Sequence, residues 1–180
     1  MKKLFLILTT VFLFSGILKA QTTYTPIDDG SRVHFAIKNF GIKTGGDFTG
    51  LKGSIKFDPA KYSNSGFDVT VDANTIDTDN GSRDGHLRKA EYFDVANYKT
   101  LHFKSTKVTL SSTAGRFYVF GELTIKGVTK PVEFGFAATP KDGGYVFDGE
   151  FEINRRDFGV GGSSISLSDK LTVSLSVFAK

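Results

Sequence analysis

The chain contains no cysteine and no tryptophan, a single methionine and only four prolines in 180 residues. Without cysteine there is no disulfide framework and no lipid-attached lipoprotein form, so stability has to come from the core alone. Histidine is scarce too, with His34, His86 and His102 the whole supply. His34 and His102 alternate with Phe35, Leu101 and Phe103 and are expected to point outward, while His86 stands apart. No two are spaced as ligands on one element, and no metal is expected. A nucleophile-elbow sequence is also missing. Ser82, Asp84 and His86 supply triad chemistry by type, but nearness in sequence is no evidence of geometry, and no catalytic residue is assigned. Gly159-Val160-Gly161-Gly162 lacks the lysine and following Ser or Thr of a phosphate loop. Asn80-Gly81-Ser82 fits a glycosylation sequon and reads here as a turn.

Long apolar runs are limited to the N-terminus, where Lys2 and Lys3 precede an uncharged stretch over 4–18, followed by Lys19, Ala20 and Gln21. This resembles a secretory signal peptide, so residues 1–20 are expected to be removed on export and 21–180 to form the mature domain. The stretch is shorter than the about 20 residues of a comfortable membrane span. An integral membrane protein is therefore not expected, a retained N-terminal anchor being the alternative. Lys2, Lys3 and Lys19 leave with the leader and no acid does, so 20 basic residues face 19 acidic ones in the mature chain. With no polybasic run left, nucleic acid is not expected as a partner. About 160 residues suffice for one domain with a real core.

What is abundant is phenylalanine, of which 15 stay in the mature chain. Apolar and polar residues alternate at Val33, Phe35 and Ile37 and again over 48–57, 67–73, 101–110, 116–125, 132–138, 145–153 and 171–179, which reads as about eight strands. The breaks between them are rich in Gly, Ser, Asn and Asp, and such short connections imply antiparallel neighbours. The expected fold is all-β, an eight-stranded antiparallel barrel rather than a sandwich. Several segments are long, and Gly50, Gly53, Gly121 and Gly149 are read as sitting inside strands where a bending barrel tolerates no side chain. Outward positions such as Arg32, Lys38, Lys56, Asp68, Asp72, Lys104, Glu133 and Glu152 are charged, which argues against a membrane barrel.

Residues 75–98 break the alternation. Asp77, Asp79, Asn80 and Gly81 supply turn and N-cap chemistry, and Leu87, Ala90, Glu91 and Asp94 recur at helical spacing, which predicts one short helix. Arg83 and Asp84 on it could be no more than a first-turn ion pair and cap. The inward set of the strands is apolar throughout, and periodicity alone leaves open whether it encloses a packed core or a cavity.

The ordered segments Val33-His34-Phe35-Ala36-Ile37-Lys38-Asn39-Phe40-Gly41, Gly50-Leu51-Lys52-Gly53-Ser54-Ile55-Lys56-Phe57-Asp58, Ile76-Asp77-Thr78-Asp79-Asn80 with Arg83-Asp84-Gly85-His86-Leu87, and Glu91-Tyr92-Phe93-Asp94-Val95 resemble the YceI-like family. So do Phe103-Lys104-Ser105, the run 121–132 and Ile153-Asn154-Arg155-Arg156-Asp157-Phe158-Gly159, and the likeness covers residues 22–180. Asn39 stands where the family often has His, and Tyr92 where Phe is frequent. The resemblance implies a lipocalin-like barrel with a long internal pocket, exported to the bacterial periplasm or secreted, that binds a polyisoprenoid, an isoprenoid quinone or a fatty derivative. Such a small-molecule lipid is the implied partner; no cofactor beyond it is expected, and a homodimer is left open. The expected cavity residues are Phe35, Ile37, Ile55, Phe57, Val71, Phe103, Val119, Leu123, Phe134, Phe136, Phe147, Phe151 and Val173. Arg83, Asp84, His86 and Arg156 are the expected mouth groups, with Leu87 and Phe93 anchoring the helix over one end. An enzyme acting on such a lipid, a hydrolase or isomerase, and a filled structural barrel are the alternatives.

Overall fold

Alternating side chains pair along almost their whole length into one antiparallel sheet. The computed structural model describes residues 22–180, so the expected leader over 1–20 lies outside the described residues. Ten strands follow one another: β1 (Thr23–Tyr24), β2 (Pro26–Asn39), β3 (Ile42–Phe48), β4 (Lys52–Lys56), β5 (Gly66–Asp72), β6 (Thr100–Leu110), β7 (Arg116–Ile125), β8 (Val128–Lys141), β9 (Gly144–Asn154) and β10 (Leu167–Ala179). One α-helix, α1 (Gly81–Leu87), lies between β5 and β6. The strand order is β1-β4-β5-β6-β7-β8-β9-β10-β2-β3, a meander curled into a half-barrel.

Ten strands replace the expected eight because β1 and nearly all of β3 lie outside the expected segments. The segment read as a single strand over 48–57 is also broken, with Phe48 ending β3 and β4 beginning only at Lys52. At that break Gly50 has φ +76°, and a Cβ there would lie 2.8 Å from the Cβ of Asp72. Gly50 is thus a corner between strands and not a bend within one. Gly121 and Gly149 do lie within strands, and they leave room for the rings of Phe103 and Phe134.

Residues 23–27 join the two ends of the sheet at one end, here called the base. Thr23 and Tyr24 pair with Lys56 and Ile55 of β4, whereas Pro26 and Ile27 pair with Ala179 and Phe178 of β10. Between them Thr25 exchanges two backbone hydrogen bonds with Lys180. At the opposite end, the rim, β3 meets only an isolated bridge between Asp47 and Asp77 on its outer side, among the described residues.

The helix is shorter than its spacing predicts. The Asn80 side chain accepts from the Arg83 N–H as N-cap, but α1 ends at Leu87. Gly81 and Gly85 are poor helix formers, and Asp94 adopts φ +48°, so residues 88–98 continue as turns. Ala90, Glu91 and Asp94 therefore share no helix face.

The base is filled with aromatic rings. Phe57, only 1% exposed, meets Phe117, Tyr145 and Phe147 edge-on with centroids 5.2, 5.1 and 5.3 Å away. Edge-to-face packing of this kind adds to the burial of apolar area. Truncating Phe57 to Ala should cost about 3–5 kcal/mol of folding stability, read from the urea midpoint; a loss below about 1 kcal/mol would show that the base is not tightly packed.

Candidate functional site

Above the aromatic base the sheet does not fill its own interior. A cavity of about 430 Å³ lies between the base and the rim. Phe35 and Ile37 of β2, Val71 of β5, Phe103 of β6, Leu123 of β7, Phe134 of β8, Phe151 of β9 and Val173 of β10 all line it. The other five expected cavity residues do not. Ile55, Phe57, Val119, Phe136 and Phe147 belong to the packed cluster at the base. Phe134 and Phe136 make the distinction plain, since both point inward from β8. Phe136 stacks on Phe117 with centroids 5.5 Å apart, whereas Phe134, one step nearer the rim, stacks on Phe151 at 4.5 Å and borders the void.

At the rim, α1 and the turns that follow it cover part of the opening. Leu87 and Phe93 line the cavity and pack with Phe48, Val71 and Ile76; the Phe48 and Phe93 rings meet edge-on at 5.5 Å. The helix is held by a clasp centred on Thr78. Asp84 accepts from the Thr78 N–H at 3.0 Å and from its hydroxyl, and Arg83 Nε donates to Thr78 Oγ1 at 2.7 Å. Arg83 and Asp84 thus both engage Thr78 and form no ion pair with one another. With 5% exposure Asp84 is a buried strut and not a mouth group. Arg83 and His86 do line the cavity, and His86 lies edge-on to Tyr92 at 5.0 Å.

The arginine beside the cavity at the far side of the rim is Arg155, not the expected Arg156. Arg155 is buried and lines the cavity. It donates to the carbonyls of Ser168, Val160 and Gly162 and to the Asp169 carboxylate at 2.9–3.0 Å. Arg156 stays half-exposed, 3.6 Å from Asp169. Phe158 and Val160, also unforeseen, line the same side. The alternation Phe151, Ile153, Arg155 carries the inward phase past the end of β9, and that signal was available in the sequence.

The other two histidines also border the cavity, but each is paired with a carboxylate. His34 pairs with Asp47 at 2.9 Å, beside Arg32, and His102 pairs with Asp68 at 2.8 Å, beside Lys104. Partial burial pushes the Asp47 carboxyl up, but the hydrogen bonds and charges of Arg32 and His34 outweigh it and hold the group below its ordinary range. The hydrogen bond from His102, with help from Lys104, lowers Asp68 against a smaller desolvation effect. Among the described residues no group of three or more His, Cys, Asp or Glu side chains could hold a metal ion. No helix among them is long and apolar enough to cross a membrane.

A family model described as the YceI-like domain matches residues 24–179. A UPF0312 protein of Vibrio cholerae is 33% identical over 135 residues, which cover 71% of each chain. The crystal structure of BcnA from Burkholderia cenocepacia is similar with a TM-score of 0.78 at 25% identity, covering 83% of this chain and 96% of that one. A polyisoprenoid binding domain from Saccharophagus degradans gives a TM-score of 0.67 over 89% of this chain and 99% of its own. At 16% identity that last likeness shows the fold alone.

Two outcomes test the electrostatics of this region. Asp84→Ala leaves the Thr78 donors without their acceptor and should cost about 1–3 kcal/mol, together with faster amide exchange at Thr78; unchanged exchange would show that the clasp is dispensable. Because the folded pKa of Asp47 is lowered, its contribution to stability is present above about pH 4, the ordinary unfolded value, and is lost as pH falls through the folded one. The wild-type urea midpoint should therefore drop more steeply in acid than that of Asp47→Asn, and parallel pH profiles would contradict the assignment.

Proposed function

The chain belongs to the YceI-like family, and from that premise we propose that it is a carrier holding one long-chain apolar or amphiphilic lipid in the cavity beneath α1. A polyisoprenoid, an isoprenoid quinone or a long fatty derivative is the class of cargo. The observation that supports this most is the interior itself, an enclosed space lined mainly by apolar side chains. Its volume of about 430 Å³ falls within the roughly 300–1,000 Å³ of small-molecule sites. Enclosing roughly 400 Å² of hydrocarbon at about 25 cal/mol per Å² gives on the order of 10 kcal/mol before the cost of association. Burial is enough to hold such a cargo, and no covalent step is needed.

In this reading Phe35, Ile37, Val71, Phe103, Leu123, Phe134, Phe151 and Val173 contact the hydrocarbon chain, while Arg83 and His86 face the polar head. Phenylalanine suits the wall because it offers rigid apolar area with no donor that would demand a partner. The base sets the depth to which a chain can enter. In this reading residues 1–20 are an export leader and the carrier works in the bacterial periplasm or is secreted, where a water-insoluble lipid needs enclosure. The protein is read as a binding protein and not an enzyme; lipid turnover that disappears in His86→Ala would replace this reading with a catalytic one.

Native mass spectrometry of the purified protein, with lipid extraction, tests the carrier reading. A retained adduct of lipid mass is expected, and failure to take up any long-chain lipid after delipidation would sink it. Phe134→Asp puts a charge against the void and should reduce uptake by about tenfold or more in protein that still melts cooperatively. Phe147→Asp, in the base, should instead destabilise the fold.

A further inference from the structure

The rim carries apolar side chains that the interior does not use. Phe40 is 80% exposed, Ile42 70% and Ile165 107%. Single exposed apolar residues are ordinary, but these three sit on the β2–β3 hairpin and the loop before β10, which are bonded together, since the Phe40 N–H donates to the Ser166 carbonyl at 2.8 Å. Grouped in this way they form a patch that calls for a partner. It adjoins the opening of the cavity: Asn39, Ser164, Ser166 and Leu167 line the void, and Ile42 is the cross-strand partner of Asn39.

Phe40 also occupies a backbone position that does not suit it. It and Gly41 have φ values of +48° and +76° and form the two-residue turn between β2 and β3. A turn with both central residues at positive φ favours Asn or Gly at its first position, and a bulky residue there is strained. No core contact offsets the strain, because the ring points into solvent. A strained, exposed aromatic at the mouth of a cavity is a feature whose purpose lies outside the molecule.

The charge beside the patch indicates the partner. Lys38 and Lys43 lie directly opposite one another across the hairpin, both exposed, and neither makes an ion pair among the described residues. Like charges so placed repel. Lys43 borders a recess that also holds Asp47, Asp77 and Asp79, but Asp47 is taken by Arg32 and His34. A layer of anionic headgroups would supply the missing counter-charge, whereas a second copy of this hairpin would bring further lysines. Apolar side chains flanked by lysines match the interfacial layer of a bilayer.

We propose that the β2–β3 hairpin and the loop carrying Ile165 form a membrane-docking tip, with Phe40, Ile42 and Ile165 entering the interfacial layer and Lys38 and Lys43 meeting anionic headgroups. Docking brings the cavity mouth to the bilayer, so that cargo passes between the two without crossing water. It rests on the lipid reading of the cavity for its purpose, though not for its geometry.

Flotation of the protein with vesicles of phosphatidylethanolamine and phosphatidylglycerol, beside uptake of a polyprenol delivered from detergent, tests docking and cavity separately. The double variant Phe40→Asn, Ile42→Ser suits the turn and should fold at least as well as the parent. It should float about tenfold less or weaker still, with polyprenol uptake unchanged. Wild-type protein that does not float, or a variant that floats equally, overturns docking. Loss of self-association in the variant, with no flotation of either form, overturns it in favour of a second copy as the occupant. Equal flotation on phosphatidylcholine alone overturns the role of the lysines. If the parent floats and the variant does not, docking stands even where neither takes up polyprenol, and the failure then belongs to the cavity reading.

Discussion

The edge-on packing around Phe57 is the contact on which the rest of the molecule depends. It fills the base of a curled sheet with rings that interlock from β7, β9 and the residue just after β4, so the walls above are fixed without having to meet in the middle. Interiors normally close to crystal-like density, and a void between apolar walls lasts only where something else holds the walls apart. Here the aromatic base does so from below and the Thr78 clasp from the rim. The two devices differ in chemistry because the base is shut off from water and the rim is not.

That division sorts the polar groups. Asp84 and Arg155 are buried, and each is bonded to neighbouring backbone, Arg155 to three carbonyls and Asp84 to the Thr78 amide. Both are bracing elements that fasten coverings over the sheet. Arg83 combines the two roles, bonded to Thr78 yet bordering the void. Among the described residues the His86 ring makes no hydrogen bond, and it lies 4.0 Å from the Glu91 carboxylate. A rim made this way presents few loose charges to the interior, which suits a site that grips by burial.

Much of this was legible in the sequence, and the failures have physical causes. Alternation located β7 over 116–125 to the residue, since both of its faces follow the two-residue period cleanly. β3 escaped because Gly45 and Gly46 have no side chains to alternate; their backbones lie close against the His34 ring and Thr78. Alternation also separated inside from outside correctly for Phe134, Phe136, Phe147 and Phe151, but it carries no information about height along the barrel. Height is set by register, such as Phe136 opposite Gly149 and Phe117, and register decides whether a Phe seals the base or borders the void. The helix was overextended because residues 88–94 have helical spacing without the hydrogen bonds to sustain it.

The segment 23–27 has one further consequence, for the order of assembly. It is among the first of the described residues to be synthesised, yet its partners lie in β4 on one side and β10 on the other, so half of its bonds form only once the far end of the chain has arrived. Contacts so distant in sequence are slow to form. Until then the edge of β2 that β10 covers stands open, and unpaired edges are sites of aggregation. For a chain delivered N-terminus first, that vulnerable interval lasts until β10 is available.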